Sequence, residues 1–544
     1  MAKGWDLRIE IIGDADLRPP RPLKPDFSRL AKWGILLLLA RTTYMTSLRH
    51  YPLGQRVPNS PHAVVSSIPT MTDVRDYEEK DPRVVAAMLS GYPRFVVHSY
   101  IRELIAFYLD REALAGRAGV LIPSRRAADD LSTYVDGAVQ RVEVEHGLYL
   151  VHADGSDADL NLKIRKFVQH TGCGISSRQA EDLLFQLGRL EARHVEASFE
   201  GAAGVEVERQ LSELCGCRPD DVLVCASGMN AFYSAFRAVQ ELQRSRGRTR
   251  WLQLGWLYVD SGCILEKFLG ESESLDCCYD VEDTDALIEK IESAGDLLAA
   301  VVLECPTNPL VQVCDLARVA AAVRKAGGVL IVDPTMASIY NVDVLPHADI
   351  LVNSLTKYAS HEGDVMIGAL AVNPASPFYG DLILRTSAFY VAPYFRDLAR
   401  LAFEMQRAPE TVARINENAA RLVAYFSGHP AVAKVFYPTK SAAFPVIAKG
   451  EPSGGAVVSI VLRGSMERFY DAVAALKGPS FGTGFTLLAP FIYLSHYDLV
   501  TTEEGCALLA KAGIDPELIR ISVGSEPYES IEAVFADALR ASDN

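Results

Sequence analysis

Four short apolar runs in the middle of the chain each end in residues able to do chemistry. The run 297–304 (LLAAVVLE) ends in Glu304 and leads into Cys-Pro-Thr-Asn with Asn308. The run 327–333 (GGVLIVD) ends in Asp333. The run 348–354 (ADILVNS) ends in Ser354 and continues Leu355-Thr356-Lys357. The run 221–226 (DVLVCA) leads into Ser227-Gly228-Met229. Near-continuous apolar runs of this length are the mark of strands buried on both faces. In open parallel sheets ligands bind beyond the carboxyl ends of the strands. The four runs therefore predict an anion cradle, two carboxylates and a lysine on one rim. Taken singly, each has an ordinary reading. Ser-Gly before a helix is a helix cap, an Asp after an apolar run is a turn residue, and a lysine is a surface charge. Taken together they meet the needs of pyridoxal 5′-phosphate. That cofactor requires a lysine amine, an acidic partner for its ring nitrogen, and backbone N–H groups and hydroxyls for its phosphate. Lys357, Asp333, the N–H groups of Gly228 and Met229, and the Ser354 and Thr356 hydroxyls would supply them.

Helical patterns separate the runs. SGMNAFYSAFRAVQELQ follows the first, and DLARVAAAVRKA lies between the second and third. This alternation predicts an α/β fold, a mainly parallel central sheet with helices on both faces. Residues 1–65 are irregular and Pro-rich and read as an arm. A helical pattern over 81–109 is interrupted by Gly91-Tyr92-Pro93. Residues 110–165 read as an α/β insertion, with AGVLIPS as a strand and VEVEHGLYLVHADGSDADL as a hairpin. From about Pro374 a long helical stretch runs to about Phe426. AVVSIVL then reads as a strand, with MERFYDAVAALK and SIEAVFADALR as helices of a smaller C-terminal α+β domain. The expected boundaries are 1–165 for the N-terminal extension with its insertion, 166–375 for the cofactor domain and 376–544 for the C-terminal domain.

Composition narrows the partners. The chain has 544 residues, 49% apolar and 23% charged, with 54 Lys plus Arg against 69 Asp plus Glu. It is long and apolar enough for large cores, which excludes wholesale disorder. A net charge of −15 argues against nucleic acid as a partner. The run Gly34–Ala40 (GILLLLA) falls far short of the ~20 apolar residues of a membrane span. Asp6, Glu10, Asp14 and Asp16 precede it, unlike a secretory signal. It reads as a buried helix or strand, so no membrane partner and a cytoplasmic location are expected. The 10 Cys are scattered without a C-x-x-C, and the 11 His show no H-E-x-x-H, so no metal site is expected.

CASGMNA, LECPTNPL, VLIVDPT, NSLTKY and RISVGSE occur in that order. The set resembles the trans-sulfuration enzymes of the Cys/Met-metabolism pyridoxal phosphate family. PLGQRVPNSPHAV, IPTMTDVRDYEEKDPRV, GYPRF and FVQHTGCGISSRQAE resemble the long, fungal-type cystathionine γ-synthases. The likeness runs over about 52–526 and implies fold type I of the pyridoxal phosphate transferases. It implies that Lys357 holds the cofactor and shuttles protons, and that Asp333 pairs with the ring nitrogen. Gly228, Met229, Ser354 and Thr356 would bind the phosphate. Tyr92 and Arg94 of GYPRF would reach a phosphate in a neighbouring subunit. Tyr258 would stack on the ring and assist the leaving group. Arg520 would clamp the substrate carboxylate, with Ser480 helping and Asn308 near the cofactor's O3′. Two departures stand out. An insertion separates Arg94 from Met229, and the lysine is followed by YASHEGDVMIGAL, where His361 and Glu362 are expected to alter the pocket beside it.

The activity so implied is γ-replacement through a vinylglycine-type intermediate, with an O-acylhomoserine and cysteine giving cystathionine. Other readings stay open. S-adenosylmethionine could be the donor, sulfide or a carbon nucleophile could be the acceptor, γ-elimination could replace capture, or the fold could be a non-catalytic scaffold. The resemblance also implies amino-acid substrates and a homodimer or homotetramer with shared sites.

Overall fold

The computed structural model describes residues 48–89 and 96–543. The Gly34–Ala40 run and the segment carrying Tyr92 and Arg94 lie outside the described residues.

Seven strands form the central sheet: β1 (Val222–Cys225), β2 (Arg250–Leu254), β3 (Ser274–Cys278), β4 (Leu298–Glu304), β5 (Val329–Asp333), β6 (Ile350–Ser354) and β7 (Gly368–Val372). Their order is β1-β7-β6-β5-β4-β2-β3. The β2–β3, β2–β4, β4–β5 and β5–β6 pairs are parallel. Only β7 runs against its neighbours β6 and β1. β4 is buried at every position, as a central strand covered on both faces must be.

Alternate residues of these strands feed two separate cores. Leu252, Leu254, Val301, Leu303, Leu330 and Val332 pack with Val207, Leu211, Leu287, Ile291, Val319 and Val323. The last six come from helices Ala203–Cys215, Thr284–Ala294 and Leu316–Ala326. On the other face Trp251, Val302, Ile331 and Val352 pack with Phe232, Phe236 and Val239 of helix Gly228–Ser245. The sheet is thus mainly parallel with helices on both faces, as its sequence pattern implies.

A five-stranded mixed sheet follows toward the C-terminus, in the order Val432–Phe436, Val457–Leu462, Ile519–Ser522, Leu487–Pro490, Leu476–Lys477. Two expectations here need correction. The stretch after Pro374 is three helices, Tyr379–Phe389, Phe395–Met405 and Ala408–Gly428. Pro393 lies in the first break and Pro409 opens the third helix, where a missing N–H costs nothing. MERFYDAVAALK is helical only over Met466–Ala472. Its end becomes an edge strand, because Leu476 and Lys477 pair with Leu487 and Leu488.

Strand Arg117–Ile122 and the hairpin Gln140–Glu145/Leu148–Asp154 form a three-stranded antiparallel sheet. Both the strand and the hairpin fall where the sequence pattern puts them. Residues 48–66 are less of a loose arm than expected. Tyr51, Val64 and Val65 are buried against Leu476 and Leu487 of the C-terminal sheet and Phe485 of the loop before Leu487. Among the described residues no helix is long and apolar enough to cross a membrane.

Candidate active site

The cradle forms where β1 meets its helix. Ser227 caps helix Gly228–Ser245: its Oγ accepts from the Asn230 N–H at 3.0 Å and donates to the Gly172 carbonyl at 3.1 Å. A Cβ at Gly228 would lie 2.8 Å from the Ser354 Cβ, and one at Gly368 would collide with the Gly228 backbone. Glycine at both points lets the helix start press against the ends of β6 and β7. Gly228, Met229, Ser354 and Thr356 all face one cavity of about 920 Å³. The first N–H groups of a helix have no intrahelical acceptor and carry partial positive charge. The Thr356 hydroxyl also exchanges hydrogen bonds with the Ile367 backbone, at 3.3 Å to its carbonyl and 3.2 Å from its N–H.

Lys357 sits in the turn after β6, buried, with Nζ 4.9 Å from the centroid of the Phe481 ring. Burial, helped by the nearby Arg520 charge, holds its amine well below the ordinary lysine range. An amine that gives up its proton more readily is more available as nucleophile and base.

The carboxyl ends of β5 and β4 place Asp333 opposite Glu304 in register. Asp333 Oδ1 accepts from the Thr335 N–H at 2.8 Å. The Thr335 hydroxyl in turn accepts from the Ser354 N–H at 2.9 Å and from Asn353 Nδ2 at 3.0 Å. Thr335 therefore fastens the end of β5 to the end of β6. Glu304 Oε1 accepts from the Tyr258 N–H at 2.5 Å. Burial raises Asp333 to about 6. Burial and the neighbouring Asp333 raise Glu304 well above the usual carboxylate range. Two carboxyls side by side in a dry site do not both ionise easily, and Glu304, the more strongly raised, is the harder of the two to ionise.

Arg520 enters from strand Ile519–Ser522 of the C-terminal sheet. Nη1 donates to Asn308 Oδ1 at 2.9 Å and Nη2 to the Ser480 carbonyl at 3.5 Å, both neutral acceptors. Its guanidinium lies 4.7 Å from the Phe491 ring and 5.1 Å from the Phe481 ring. Burial lowers it to about 10, so it stays cationic at neutral pH. A held cation of this kind suits a ligand carboxylate.

Tyr258, Glu304, Asn308, Asp333, Lys357 and Arg520 all line the same cavity as the cradle. Ser480 does not line it. It offers its carbonyl to Arg520, and its buried Oγ has no hydrogen-bond partner among the described residues. Tyr92 and Arg94 lie outside the described residues. The expectation that His361 and Glu362 alter the pocket is corrected, since neither lines it. Glu362 turns toward the helix Phe395–Met405, where it meets Arg400 Nη2 at 2.5 Å and its N–H donates to Glu404 at 2.9 Å. His361 is fully buried, and burial lowers it to about 4.

Sequence reading missed Thr335 and Phe481. The only signal for the first was a hydroxyl two residues after Asp333; for the second, an aromatic beside Ser480. It also missed the opposite wall, where Ile101, Ile105, Leu109, Val120 and Leu162 come from helix Ser99–Arg111, strand Arg117–Ile122 and helix Ala158–Thr171.

A profile of the Cys/Met metabolism PLP-dependent enzymes matches residues 201–540, more than half of the chain and every rim residue above. The chain belongs to this family. It is 36% identical, over 89% of its length and 97% of the relative's, to the L-2-amino-4-chloropent-4-enoate dechlorinase/desaturase of Streptantibioticus cattleyicolor. It is 27% identical, over 91% of its length and 99% of the relative's, to the cystathionine gamma-synthase of Neurospora crassa. Among solved structures, yeast cystathionine gamma-lyase matches its fold with a TM-score of 0.54 at 22% identity, over 65% of this chain and 94% of that one. The family's enzymes act on amino acids and use pyridoxal 5′-phosphate. The residues present fit that cofactor: a glycine cradle that a Cβ would fill, a buried acid and a buried amine share one cavity.

Proposed function

We propose that this enzyme expels a leaving group from the γ-carbon of an L-2-amino acid. The observation that carries the reading is the convergence of Lys357, Asp333 and Arg520 on one cavity beside the Gly228 cradle. When bound, pyridoxal phosphate supplies an electron sink conjugated to the amino acid's α-carbon. Asp333, ionised at neutral pH, holds the proton of the ring nitrogen. Gly228, Met229, Ser354 and Thr356 hold the phosphate, and Tyr258 stacks on the ring. Arg520 holds the substrate carboxylate, steadied by Asn308 and Ser480. Lys357 removes the α-proton and then a β-proton, which lets the bond from Cγ to its leaving group break.

Two relatives support the choice of carbon. The dechlorinase/desaturase is named for a substrate whose chlorine sits on C4, the γ-carbon. A cystathionine γ-synthase makes its bond at the same carbon. The ordered motifs favour γ-replacement, O-acylhomoserine plus cysteine giving cystathionine. The greater likeness to the dechlorinase favours a second reading, loss of halide from a 4-chloro-2-amino acid without capture.

The test presents the pure protein with O-acetyl- or O-succinylhomoserine, with and without cysteine, and separately with L-2-amino-4-chloropent-4-enoate. Cystathionine supports replacement; chloride released without cysteine supports elimination. No γ-leaving group lost from any of these donors would contradict the proposal. The resemblance further supports a homodimer or homotetramer with Tyr92 and Arg94 reaching the neighbouring phosphate. Light scattering would read the assembly.

A further inference from the structure

A chain of hydrogen-bonded side chains runs along the cavity wall beside the cradle. Lys166 Nζ donates to Gln169 Oε1 at 3.1 Å. Gln169 Nε2 donates to Asp260 Oδ1 at 3.0 Å, and His170 Nδ1 meets the same oxygen at 2.9 Å. Lys267 Nζ lies 3.4 Å from His170 Nε2 and 3.7 Å from Cys263 Sγ. Lys166, Gln169, His170, Asp260 and Lys267 all line the cavity. Asp260 and His170 are almost wholly buried, whereas Lys267 is exposed. With Nδ1–H given to Asp260, His170 presents Nε2 as acceptor to the Lys267 ammonium. Lys166 also lies near Glu78, so Lys267 is the array's cation on the His170 side.

Both helices that carry it touch the cradle. Helix Ala158–Thr171 ends at Gly172, whose carbonyl accepts from the Ser227 hydroxyl. Helix Val259–Phe268 starts beside it, with Ser261 Oγ 3.8 Å from Met229 Sδ. The cradle itself offers N–H groups and neutral hydroxyls, while a phosphate monoester carries a charge of about −1.5 to −2 at pH 7. Hydrogen bonds from a cation to such an anion are about twice as strong as neutral ones.

We propose that Lys267, aligned by His170 and Asp260, supplies positive charge to the cofactor's phosphate from within the same chain. This rests on the reading of the Ser227–Met229 turn as the phosphate cradle. The test separates the two claims. Full-length protein freed of cofactor is titrated with pyridoxal 5′-phosphate and with pyridoxal, which lacks the phosphate, following the visible band of the lysine-bound cofactor. Wild type binds the phosphate form more tightly. Lys267→Met weakens that form by about tenfold and leaves pyridoxal within about twofold. Lys267→Arg restores most of the loss, which a merely structural lysine would not explain. Equal weakening of both ligands, or of neither, overturns the role of Lys267. If wild type binds the two alike, the cradle reading fails and the inference falls with it.

Discussion

One wall of the cavity is the carboxyl rim of the parallel sheet, where Glu304 and Asp333 sit in strand register and Thr335 fastens β5 to β6. The facing wall is helix Ser99–Arg111, strand Arg117–Ile122 and the early turns of helix Ala158–Thr171, whose last turn reaches the cradle; it presents Ile101, Ile105, Val120 and Leu162. The rim residues are held by backbone hydrogen bonds and by burial from both faces. The facing residues come from a small antiparallel sheet and helices whose side chains are partly exposed. Rigid strand ends can hold reacting groups to fractions of an ångström. A surface-built wall sets the shape of the space instead. On the proposed function, the rim carries the chemistry and the facing wall the choice of substrate.

Substitutions should divide along that line. The largest effect is expected of Lys357→Ala, which removes the proton carrier. Turnover falls by at least about 10³-fold and the visible cofactor band is lost. Asp333→Asn comes next, at about 10²-fold in kcat, because the ring nitrogen loses its charged partner. Asp333 adds a pH signature. Its carboxyl, raised to about 6 by burial, is protonated below that pH and ionised above it. Cofactor affinity measured against pH should drop as the pH falls through about 6, and Asp333→Asn should shrink the step to that of the phosphate's own titration.

Arg520→Lys keeps the charge and loses the two-pronged geometry. KM for the amino acid should rise about 10–100-fold with a smaller change in kcat. Thr335→Val leaves the Ser354 N–H without its acceptor, and the strain spreads to Asp333. A loss of about 1–3 kcal/mol in stability and about tenfold in kcat should be read by denaturant melts and steady-state rates. On the facing wall Ile105→Ala should move KM by less than about tenfold and leave the cofactor band unchanged. An effect of Ile105→Ala on kcat as large as that of Asp333→Asn would break the comparison.

The rim was the more legible wall, for the same physical reason. β1, β4, β5 and β6 are buried on both faces, so their runs are almost unbroken and their ends easy to find. β3 escaped notice because it is an edge strand of mixed polarity, SLDCC, with every residue at least partly exposed. β7 escaped because GALAV is made of small residues that carry little strand signal. Thr335 and Glu304 act through neighbours on other strands, a relation no local pattern encodes. His361 and Glu362 stood close to Lys357 in sequence. The turn after the lysine carries both away from the cavity, and Glu362 into contact with helix Phe395–Met405. On the facing wall the strand Arg117–Ile122 was legible, but nothing marked it as lining a site, since half-buried faces look alike whether they line a site or solvent.

The central claim is a covalent link between the cofactor and one nitrogen. Borohydride reduction of the holoenzyme followed by peptide mass spectrometry reads it directly. The account predicts a pyridoxyl phosphate group on Lys357 alone. A label on another lysine, or none at all, would contradict it.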